Sequence, residues 1–229
     1  LEKFFDTVCQ SKLNEVLSRT IKDGRVISLI HKYLNAGVVQ NGMFERTEVG
    51  VPQGGPLSPL LSNIMLNELD KELTCRGHRF VRYADDCMIF CKSKKSAERT
   101  LENIVPFIEG KLFLKVNREK TNVAHISKVR YLGYAFYRYR GECRFRVHPK
   151  SVTKMRNQIR ELTSRSNGWG NEYRALKLTQ FIRGWVNYFA LADVKSQLKK
   201  IDEWYRHKIR TIYWKQWKKI KTRYRMLKA

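Results

Sequence analysis

The feature that most constrains the fold is a change in sequence periodicity at His148-Pro149. Before this point, short apolar runs typical of strands alternate with runs whose apolar residues recur at helical spacing. After it, the apolar residues recur only at helical spacing. The pattern predicts an α+β domain over residues 1–147, with an antiparallel sheet covered by helices on one face. It predicts an all-α three-helix domain over residues 148–229.

Three amphipathic stretches define the helices of the second domain. They run from Val152 to Leu162, from Tyr173 to Phe189 and from Leu198 to Trp217. The first is predicted to end before Asn167-Gly168, since glycine accepts the backbone conformation that closes a helix. Their apolar faces predict a small bundle with a solvated outer surface.

Several short strands are predicted within the first domain. A hairpin is expected around Asn41-Gly42, a dipeptide suited to a tight turn. Two strands flank Asp85-Asp86, a further strand covers Leu112–Val116, and another hairpin spans Lys128–Val147. Helices occupy segments between these strands, as in an α+β fold.

The chain is strongly basic, with 46 Lys and Arg against 21 Asp and Glu and a formal charge of +25. The excess is concentrated in residues 148–229, where 21 basic residues oppose 5 acidic ones for a net charge of +16. Such a body attracts polyanions, so nucleic acid or an anionic membrane surface is the expected partner. No apolar run approaches the roughly 20 residues that cross a bilayer.

The five cysteines are scattered along the chain, at Cys9, Cys75, Cys87, Cys91 and Cys143. An odd number without paired spacing is typical of reduced thiols and argues against a disulfide framework or a zinc site. The sequence opens without a signal peptide. We therefore expect an intracellular protein, in the cytoplasm of a bacterium or in an organelle. Because the chain also opens without Met, we expect it to be a fragment.

The motif Tyr83-Ala84-Asp85-Asp86 places two adjacent carboxylates at a turn between apolar strands. Adjacent carboxylates repel one another unless a cation neutralises them. Mg²⁺ prefers carboxylate oxygens, and nucleotidyl transfer uses two such ions about 3.5–4 Å apart. Aspartate is also common in ordinary hairpin turns, so the motif alone leaves a purely structural role open.

A second motif, Pro52–Pro59, reads Pro-Gln-Gly-Gly-Pro-Leu-Ser-Pro. Its glycines let the backbone approach a ligand closely, and Gln53 offers both hydrogen-bond donors and an acceptor. Ser58 is predicted to cap a following helix, with Pro59 at the first helical position. Taken alone, the segment also fits a plain connector that leads into a capped helix.

Together these motifs resemble those of reverse transcriptases. Five of the family's motifs are matched in order, at Leu1–Asp6, Val51–Ile64, Phe80–Phe90, Leu114–Thr121 and Tyr131–Tyr134. The resemblance implies that residues 1–147 form a polymerase palm of ferredoxin-like type.

The segment Ile182–Phe189 is similar to the thumb, or maturase domain X, of group II intron proteins. The resemblance therefore implies a thumb over residues 148–229 and favours the intron branch of the family. It implies an RNA-directed DNA polymerase that also binds its intron RNA to assist splicing and mobility. One alternative is an RNA-binding splicing maturase without polymerase activity. A basic domain on a membrane surface ranks last.

The resemblance assigns catalytic roles to three residues. Asp85 and Asp86 would bind two Mg²⁺ ions, with Asp85 ligating both. Lys120 would donate a proton to departing pyrophosphate, although a solvated surface lysine is the alternative. The family's remaining metal-binding aspartate falls immediately before Leu1, and the fingers lie further upstream. We therefore expect the chain alone not to polymerise DNA.

The resemblance also implies contacts to the incoming dNTP and to the primer. Phe5 would exclude ribonucleotides by crowding the sugar 2′ position, with a packing role in the core as the alternative. Gln53 would touch the nucleotide, and Gly54 would give access to the template-primer backbone. The implied nucleotide-binding residues are Phe5, Pro52, Gln53, Gly54 and Tyr83, and the implied primer grip is Tyr131, Leu132 and Gly133.

Basic residues on the outer face of the second domain are expected to contact phosphates of intron RNA, or of an RNA template paired with a DNA primer. The residues assigned to this surface are Lys150, Lys154, Arg156, Arg160, Lys199, Lys200, Arg206 and Arg210. Such contacts make binding strongly salt dependent. The aromatic residues between Trp185 and Trp217 are expected mainly to pack the helices, with base stacking as the alternative. The oligomeric state stays open, with a dimer as one option.

Overall fold

The structure is a computed structural model that describes residues 1–40, 43–45 and 49–228. The chain divides into two units, Leu1–Val123 and Ala124–Ala229. Each unit contains buried apolar clusters of its own. None of the described helices is both long enough and apolar enough to cross a membrane.

Five helices lie within the described part of the N-terminal unit: α1 (Phe4–Thr7), α2 (Gln10–Thr20), α3 (Gly24–Leu34), α4 (Ser58–Cys75) and α5 (Lys94–Gly110). Two of them begin with a side-chain cap. The Asp23 carboxylate accepts a hydrogen bond from the backbone N–H of Arg25 at 2.8 Å, at the start of α3. The Ser93 hydroxyl does the same for Ser96 at 3.2 Å, at the start of α5. Each cap satisfies a backbone donor that the helix itself leaves unpaired.

Helix α4 begins at Ser58, one residue before the predicted first position, and it lacks the predicted cap. Its N-cap residue is Leu57, which makes no side-chain hydrogen bond to the helix. The Ser58 hydroxyl instead donates to the backbone carbonyl of Pro52, and it lies 3.1 Å from the hydroxyl of Tyr33. The prediction that Ser58 caps α4 is therefore wrong, because its hydroxyl holds the preceding loop.

The described strands are antiparallel and form three small sheets. The strands are β1 (Val38–Gln40), β2 (Met43–Glu45), β3 (Arg79–Tyr83), β4 (Asp86–Phe90), β5 (Arg130–Tyr131), β6 (Tyr134–Tyr139) and β7 (Glu142–Val147). They pair as β1-β2, β3-β4 and β5-β6-β7. The mixed α and β character is thus confirmed, whereas the single sheet that was predicted is not found among the described strands. Asn41-Gly42, the predicted turn between β1 and β2, lies outside the described residues.

The segment Leu112–Val116 was predicted to be a strand, and this is wrong. Leu112, Leu114 and Val116 are buried as an extended segment would require. However, Phe113 has a positive φ of 54°, and the N–H of Leu114 donates to the carbonyl of Ile108 in α5 at 3.1 Å. The backbone of this segment is therefore hydrogen-bonded to the end of α5 and does not form a strand.

The core of the N-terminal unit is formed mainly by apolar side chains of α2, α4 and α5. Leu13, Met65 and Leu73 are completely buried, and Ile104 is 4% exposed. Truncating a buried leucine of this kind to alanine costs about 2–5 kcal/mol. This packing supports α4, which in turn contacts β3.

Four helices lie within the described part of the C-terminal unit: α6 (Pro149–Leu162), α7 (Asn171–Tyr188), α8 (Lys195–Gln216) and α9 (Ile220–Lys228). The first three match the predicted helices, and α9 was not predicted. The other helices were predicted from apolar faces that pack in a core. Such a face is weak in α9, since Ile220 is 81% exposed and Tyr224 is 63% exposed.

The boundary between the units differs from the predicted one. The sequence pattern changes after Val147, but the division falls before the β6–β7 hairpin. The hairpin belongs with the helices because Val147 packs in a buried cluster with Phe189 and Val194. In addition, the N–H of Asp193 donates to the carbonyl of Phe145 at 2.8 Å.

Candidate active site and nucleic-acid interface

The acidic motif forms the turn of the β3–β4 hairpin. Tyr83 pairs with Asp86 across the two strands, which leaves Ala84 and Asp85 as the two turn residues. Ala84 adopts a φ of 52°, a left-handed conformation that costs a residue with a Cβ roughly 1–2 kcal/mol. Asp85 is half-buried and Asp86 is exposed. Backbone strain of this kind is frequent at functional sites.

Arg82 connects this turn to α4. Its guanidinium donates to both carboxylate oxygens of Asp70, at 2.8 and 2.5 Å, with the two side chains only 12% and 23% exposed. The same guanidinium donates to the carbonyl of Ala84 at 3.0 Å and to Oδ1 of Asn63 at 3.2 Å. A bidentate, partly buried pair of this geometry is both strong and directional. The carbonyl of the strained residue is therefore held in place by a fixed cation.

The Asp85 carboxylate is available to a ligand. It forms no hydrogen bond or ion pair with any residue that the structure describes. No lysine or arginine in the described ranges pairs with it. An acidic turn neutralised by its own basic residues would not bind a cation, and Asp85 does not have this arrangement.

The second motif lies directly against the start of the chain. The N–H of Val51 donates to the carbonyl of Phe5 at 2.6 Å, and the N–H of Gly50 donates to the carbonyl of Val8 at 2.8 Å. The Gln53 side chain donates to the carboxylate of Asp6 at 2.8 Å. Predicted nucleotide-binding residues from two distant motifs are thus brought together.

A buried glutamine that was not predicted supports this junction. The Gln10 amide donates to the carbonyls of Gly50 at 3.0 Å and Leu34 at 3.3 Å, and the residue is 6% exposed. Buried amides need such partners because desolvation without hydrogen bonds is costly. In the sequence, Gln10 stands out only as a polar residue within the apolar pattern of α2. That pattern alone indicates no function.

The remaining predicted residues of the N-terminal unit are accessible. Phe5 is half-buried against the core cluster, in contact with Phe4. Gly54 has a φ of 81° and open space around it, as a position approached by a ligand requires. Tyr83 is 64% exposed. Lys120 lies exposed in a turn in which Asn117 accepts from its N–H at 2.9 Å.

The predicted primer-grip residues form another tight turn, between β5 and β6. Tyr131 pairs with Tyr134, so Leu132 and Gly133 are the two turn residues, with φ values of 50° and 83°. The Tyr188 hydroxyl donates to the carbonyl of Leu132 at 3.0 Å. The Gly133 carbonyl accepts from the N–H of His148 at 2.9 Å.

The eight basic residues assigned to the RNA-binding surface are all exposed, and all lie on α6 and α8. These two helices pack together through Met155, Ile159 and Ile201. Arg206 pairs with Asp202 at 2.8 Å, and the Arg160 guanidinium lies 5.7 Å from the ring centre of Trp204. The structure therefore exposes these cations on two helices that pack against each other.

The aromatic residues of the C-terminal unit divide into two groups. Trp185, Trp204 and Tyr205 pack against the buried clusters, as predicted for most of this set. Tyr188 is 55% exposed and Trp214 is 47% exposed, with the Arg223 guanidinium 4.6 Å from the Trp214 ring centre. Exposed rings of this kind, which also include Tyr173 and Tyr224, are open to stacking on a base.

Comparison with known proteins gives the family. Residues 1–136 match the family model of the reverse transcriptase (RNA-dependent DNA polymerase). Residues 152–229 match the group II intron, maturase-specific domain. The chain belongs to the reverse transcriptase family.

Individual relatives agree with this assignment. Protein YkfC of Escherichia coli is 33% identical over 72% of this chain and 53% of its own length. The group II intron-encoded protein LtrA of Lactococcus lactis is 30% identical over 57% of this chain and 33% of its own length. This chain thus spans about half or less of the length of these curated relatives.

A solved structure, the partial Cas6-RT-Cas1–Cas2 complex, is 29% identical to this reverse transcriptase. The match covers 48% of this chain and 21% of that chain, with a TM-score of 0.29. A TM-score this low carries no argument about the fold or the partners.

Reverse transcriptases use divalent metal ions, and the donor set fits such an ion. The acidic turn supplies hard carboxylate oxygens, and Mg²⁺ is commonly held by one or two carboxylates together with water and substrate phosphates. Across the described residues there is no cluster of three or more His, Cys, Asp or Glu side chains able to hold a metal. Among the described residues, the turn is therefore the part of the chain that would supply carboxylate oxygens to such an ion.

Proposed function

We propose that the full-length protein is an RNA-directed DNA polymerase of a group II intron that also binds its intron RNA to assist splicing and mobility. In this proposal residues 1–147 act as the palm and residues 148–229 as the thumb, or maturase domain X. The observation that carries the polymerase assignment is the Ala84-Asp85 turn. Its carboxylate is left without a partner while Arg82 holds the adjacent carbonyl.

The proposed chemistry places two Mg²⁺ ions at Asp85 and Asp86, where they would supply the clamp for the attacking and leaving oxygens. The carboxylates of this turn would hold these ions, whose charge offsets the repulsion between the carboxylates and a phosphate. Phe5 would exclude a ribose by occupying the space of the 2′-OH. Lys120 would give a proton to the pyrophosphate as it leaves.

The Pro52–Gly54 segment would hold the nucleotide and the template-primer. The Gln53 amide is already oriented by Asp6, so a nucleotide would meet a side chain whose conformation is set. Gly54 would allow the nucleic-acid backbone to come close, because nothing surrounds the position where a Cβ would lie. The Leu132-Gly133 turn would contact the primer end.

RNA binding is the second part of the proposal. The exposed cations of α6 and α8 support it, because the net charge of +16 over residues 148–229 exceeds what a solvated helix face needs for solubility. Each phosphate contact adds about −0.7 to −0.9 to the slope of log affinity against log salt. We also propose that the protein works inside the cell, where intron RNA is made.

Primer extension by the full-length protein on an RNA template tests the polymerase assignment. Asp85→Asn keeps the shape of the turn and removes the charge, so we expect synthesis to fall at least 100-fold. Glu98→Gln is the matched control, since Glu98 is an exposed carboxylate on α5. Undiminished synthesis by Asp85→Asn would refute the assignment.

A splicing assay on the parent intron separates the two activities. If both belong to this protein, Asp85→Asn will splice at the wild-type rate while making no cDNA. A wild-type protein that splices but never extends a primer would favour the non-enzymatic maturase instead.

A further inference from the structure

A cavity of about 240 Å³ in the C-terminal unit lies between the loop that precedes α7 and the end of α8. The residues that bear on its chemistry are Arg165, Trp169, Arg174, Lys215, Gln216 and Lys218. Four of these are cationic, and no acidic residue lines the cavity. None of the eight basic residues named above for RNA binding lines this cavity.

Arg174 is the unusual member of this group because it is buried. The residue is only 5% exposed, yet it pairs with no carboxylate in the described part of the chain. Its guanidinium donates to neutral oxygens: Oδ1 of Asn167 at 2.8 Å, Oδ1 of Asn171 at 3.3 Å and the carbonyl of Ser164 at 3.4 Å. Its Nε is buried without a partner. A buried charge without a counter-charge is unfavourable, so this arginine is poised to gain from an anion.

The position of Arg174 in its helix adds to the positive potential. It lies in the first turn and a half of α7, whose N-cap is Gly170 and which begins without a side-chain cap. The N-terminal end of a helix carries the positive end of the helix dipole, where a cation is disfavoured and an anion is stabilised. A purely structural role for Arg174, bridging the loop through Asn167 and Ser164, would not require the three further cations around the cavity.

We propose that this cavity binds one phosphate group of an RNA strand. Arg174 is the buried anchor, and Arg165, Lys215 and Lys218 surround the phosphate. The half-buried indole of Trp169 forms the wall against which the adjoining nucleotide lies. The proposal rests on the RNA binding proposed above and adds a defined site to it. The shared chemistry is that of a phosphate, whether it belongs to RNA or is free in solution.

Equilibrium binding of a labelled 30-nucleotide single-stranded RNA by the 229-residue chain tests the site. Arg165→Gln and Lys218→Gln alter exposed residues and should leave the fold intact. The matched control is Arg183→Gln, an exposed arginine of α7 that does not line the cavity. We expect the two cavity variants to bind roughly 3–10-fold more weakly than the control at the same salt. The slope of log affinity against log salt should fall by at most about 0.7 in magnitude for either variant, because that is the contribution of one phosphate contact.

Arg174→Gln should have the largest effect, roughly 10–100-fold, because a charge-assisted hydrogen bond to a buried phosphate is lost. If this variant does not fold, as judged by its circular dichroism, the two exposed variants decide the question. Cavity variants that bind RNA with the affinity and salt slope of Arg183→Gln would overturn the proposal. If the wild-type chain itself did not bind RNA, the proposed function would fail, which is a different result.

Inorganic phosphate distinguishes the two sources of the anion. At constant ionic strength, phosphate in place of chloride should raise the unfolding temperature of the wild-type chain and of Arg183→Gln, but not of Arg165→Gln. RNA should compete with phosphate for the cavity, so phosphate should add less stabilisation when RNA is present. Stabilisation by phosphate that is lost in Arg165→Gln, combined with RNA binding that is unchanged, would mean that the cavity binds free phosphate and would overturn the RNA assignment.

Discussion

The β3–β4 and β5–β6 turns share a backbone conformation and differ in how they are held. Each is a two-residue turn with a non-glycine residue in the left-handed region, Ala84 at 52° and Leu132 at 50°. In each, the carbonyl of that residue accepts a hydrogen bond from a side chain. The donor is the ion-paired guanidinium of Arg82 in the first turn and the hydroxyl of Tyr188 in the second.

The surroundings of the two turns explain the difference. At the β5–β6 turn, Gly133 lies against Ser151 and the ring of Phe189, so close packing and neutral hydrogen bonds fix the backbone. In the proposed function, the acidic turn keeps its carboxylate side open to a metal and a substrate. The contacts that hold it come from α4, where Asp70 and Asn63 accept hydrogen bonds from Arg82. The clamp formed by Arg82 and Asp70 can hold such a turn from the α4 side alone. A bidentate ion pair fixes the direction of the guanidinium without enclosing the turn.

Among the groups that hold the two turns, Arg82 should have the largest effect on primer extension when it is removed. Arg82→Met keeps much of the aliphatic stem but leaves the Asp70 carboxylate half-buried and unpaired, which we expect to cost roughly 1–3 kcal/mol of stability. Because the Ala84 carbonyl loses its donor, we expect primer extension to fall at least 10-fold and to need more Mg²⁺ for half-maximal rate. Titration of Mg²⁺ in the primer-extension assay measures this.

The control for the clamp is Arg76→Met, which removes an i,i+4 pair between Glu72 of α4 and the residue that follows the helix. Its arginine and glutamate are more exposed, at 34% and 29%, so its effect should stay below about 1 kcal/mol. A purely structural role for Arg82 would lower stability and activity without changing the Mg²⁺ requirement. An unchanged requirement would therefore contradict the positioning role.

Packing at the second turn can be tested with two glycines of nearly equal φ. Gly133 has a φ of 83°, and a Cβ there would lie 3.0 Å from Ser151 Oγ and 3.1 Å from Phe189 Cζ. Gly141, in the turn between β6 and β7, has a φ of 87° and nothing within 4 Å. Gly133→Ala should destabilise the unit by about 2–4 kcal/mol, and Gly141→Ala by about 1–2 kcal/mol.

Urea unfolding of the 229-residue chain measures both changes, provided that the dependence on urea concentration stays the same. Because the backbone strain is nearly equal, the difference between the two variants reports the close packing alone. Equal destabilisation would show that packing contributes little to the β5–β6 turn.

A smaller effect is expected from the hydroxyl that supports Leu132. Tyr188→Phe removes the hydrogen bond to the Leu132 carbonyl and keeps the ring, so it should cost about 1 kcal/mol in the same unfolding experiment. Tyr213→Phe on α8 provides a control hydroxyl, which makes no hydrogen bond to a turn among the described residues. If Tyr188→Phe costs no more than Tyr213→Phe, the Tyr188 hydroxyl does not hold the β5–β6 turn in the way that Arg82 holds the acidic turn.

Much of this architecture could be predicted from the sequence. The proline at the start of the helix behind Ser58, the apolar runs on either side of Asp85 and the hairpin pattern within Lys128–Val147 are local signals, and each led to the correct type of element. The acidic turn and the Pro52–Gly54 segment were found because their chemistry is carried by adjacent residues. Local patterns of this kind reach only as far as neighbours along the chain.

The partners of these residues could not be predicted, because they come from distant positions. Nothing near Arg82 in the sequence indicates that it pairs with Asp70, and nothing near Gln10 indicates a bond to Gly50. Arg174 resembled any other basic residue of its helix until its burial was known. Ser58 was misassigned for the same reason, since its hydroxyl could equally cap a helix or bond to Pro52.

A last prediction concerns Cys87, which lies across from Arg82 in the hairpin. Although the residue as a whole is exposed, loss of water around the thiol, followed by the nearby Asp70 carboxylate, raises the pKa of Cys87 to about 11. The Arg82 guanidinium acts in the opposite direction. Because the folded state prefers the neutral thiol, this contribution to stability is complete below about pH 9 and is lost as pH rises towards about 11.

Alkylation by iodoacetamide, followed residue by residue with mass spectrometry, measures this state of the thiol. Near pH 8 the thiolate fraction of Cys87 should be reduced about 100-fold, so Cys87 should react far more slowly than the exposed Cys143. Asp70→Asn removes one of the two causes that raise the pKa, and alkylation of Cys87 should accelerate a few-fold while Cys143 stays unchanged. Equal alkylation rates at Cys87 and Cys143 in the wild-type chain would show that the surroundings of Cys87 do not favour the neutral thiol. The charges of Arg82 and Asp70 would then affect each other but not the neighbouring thiol.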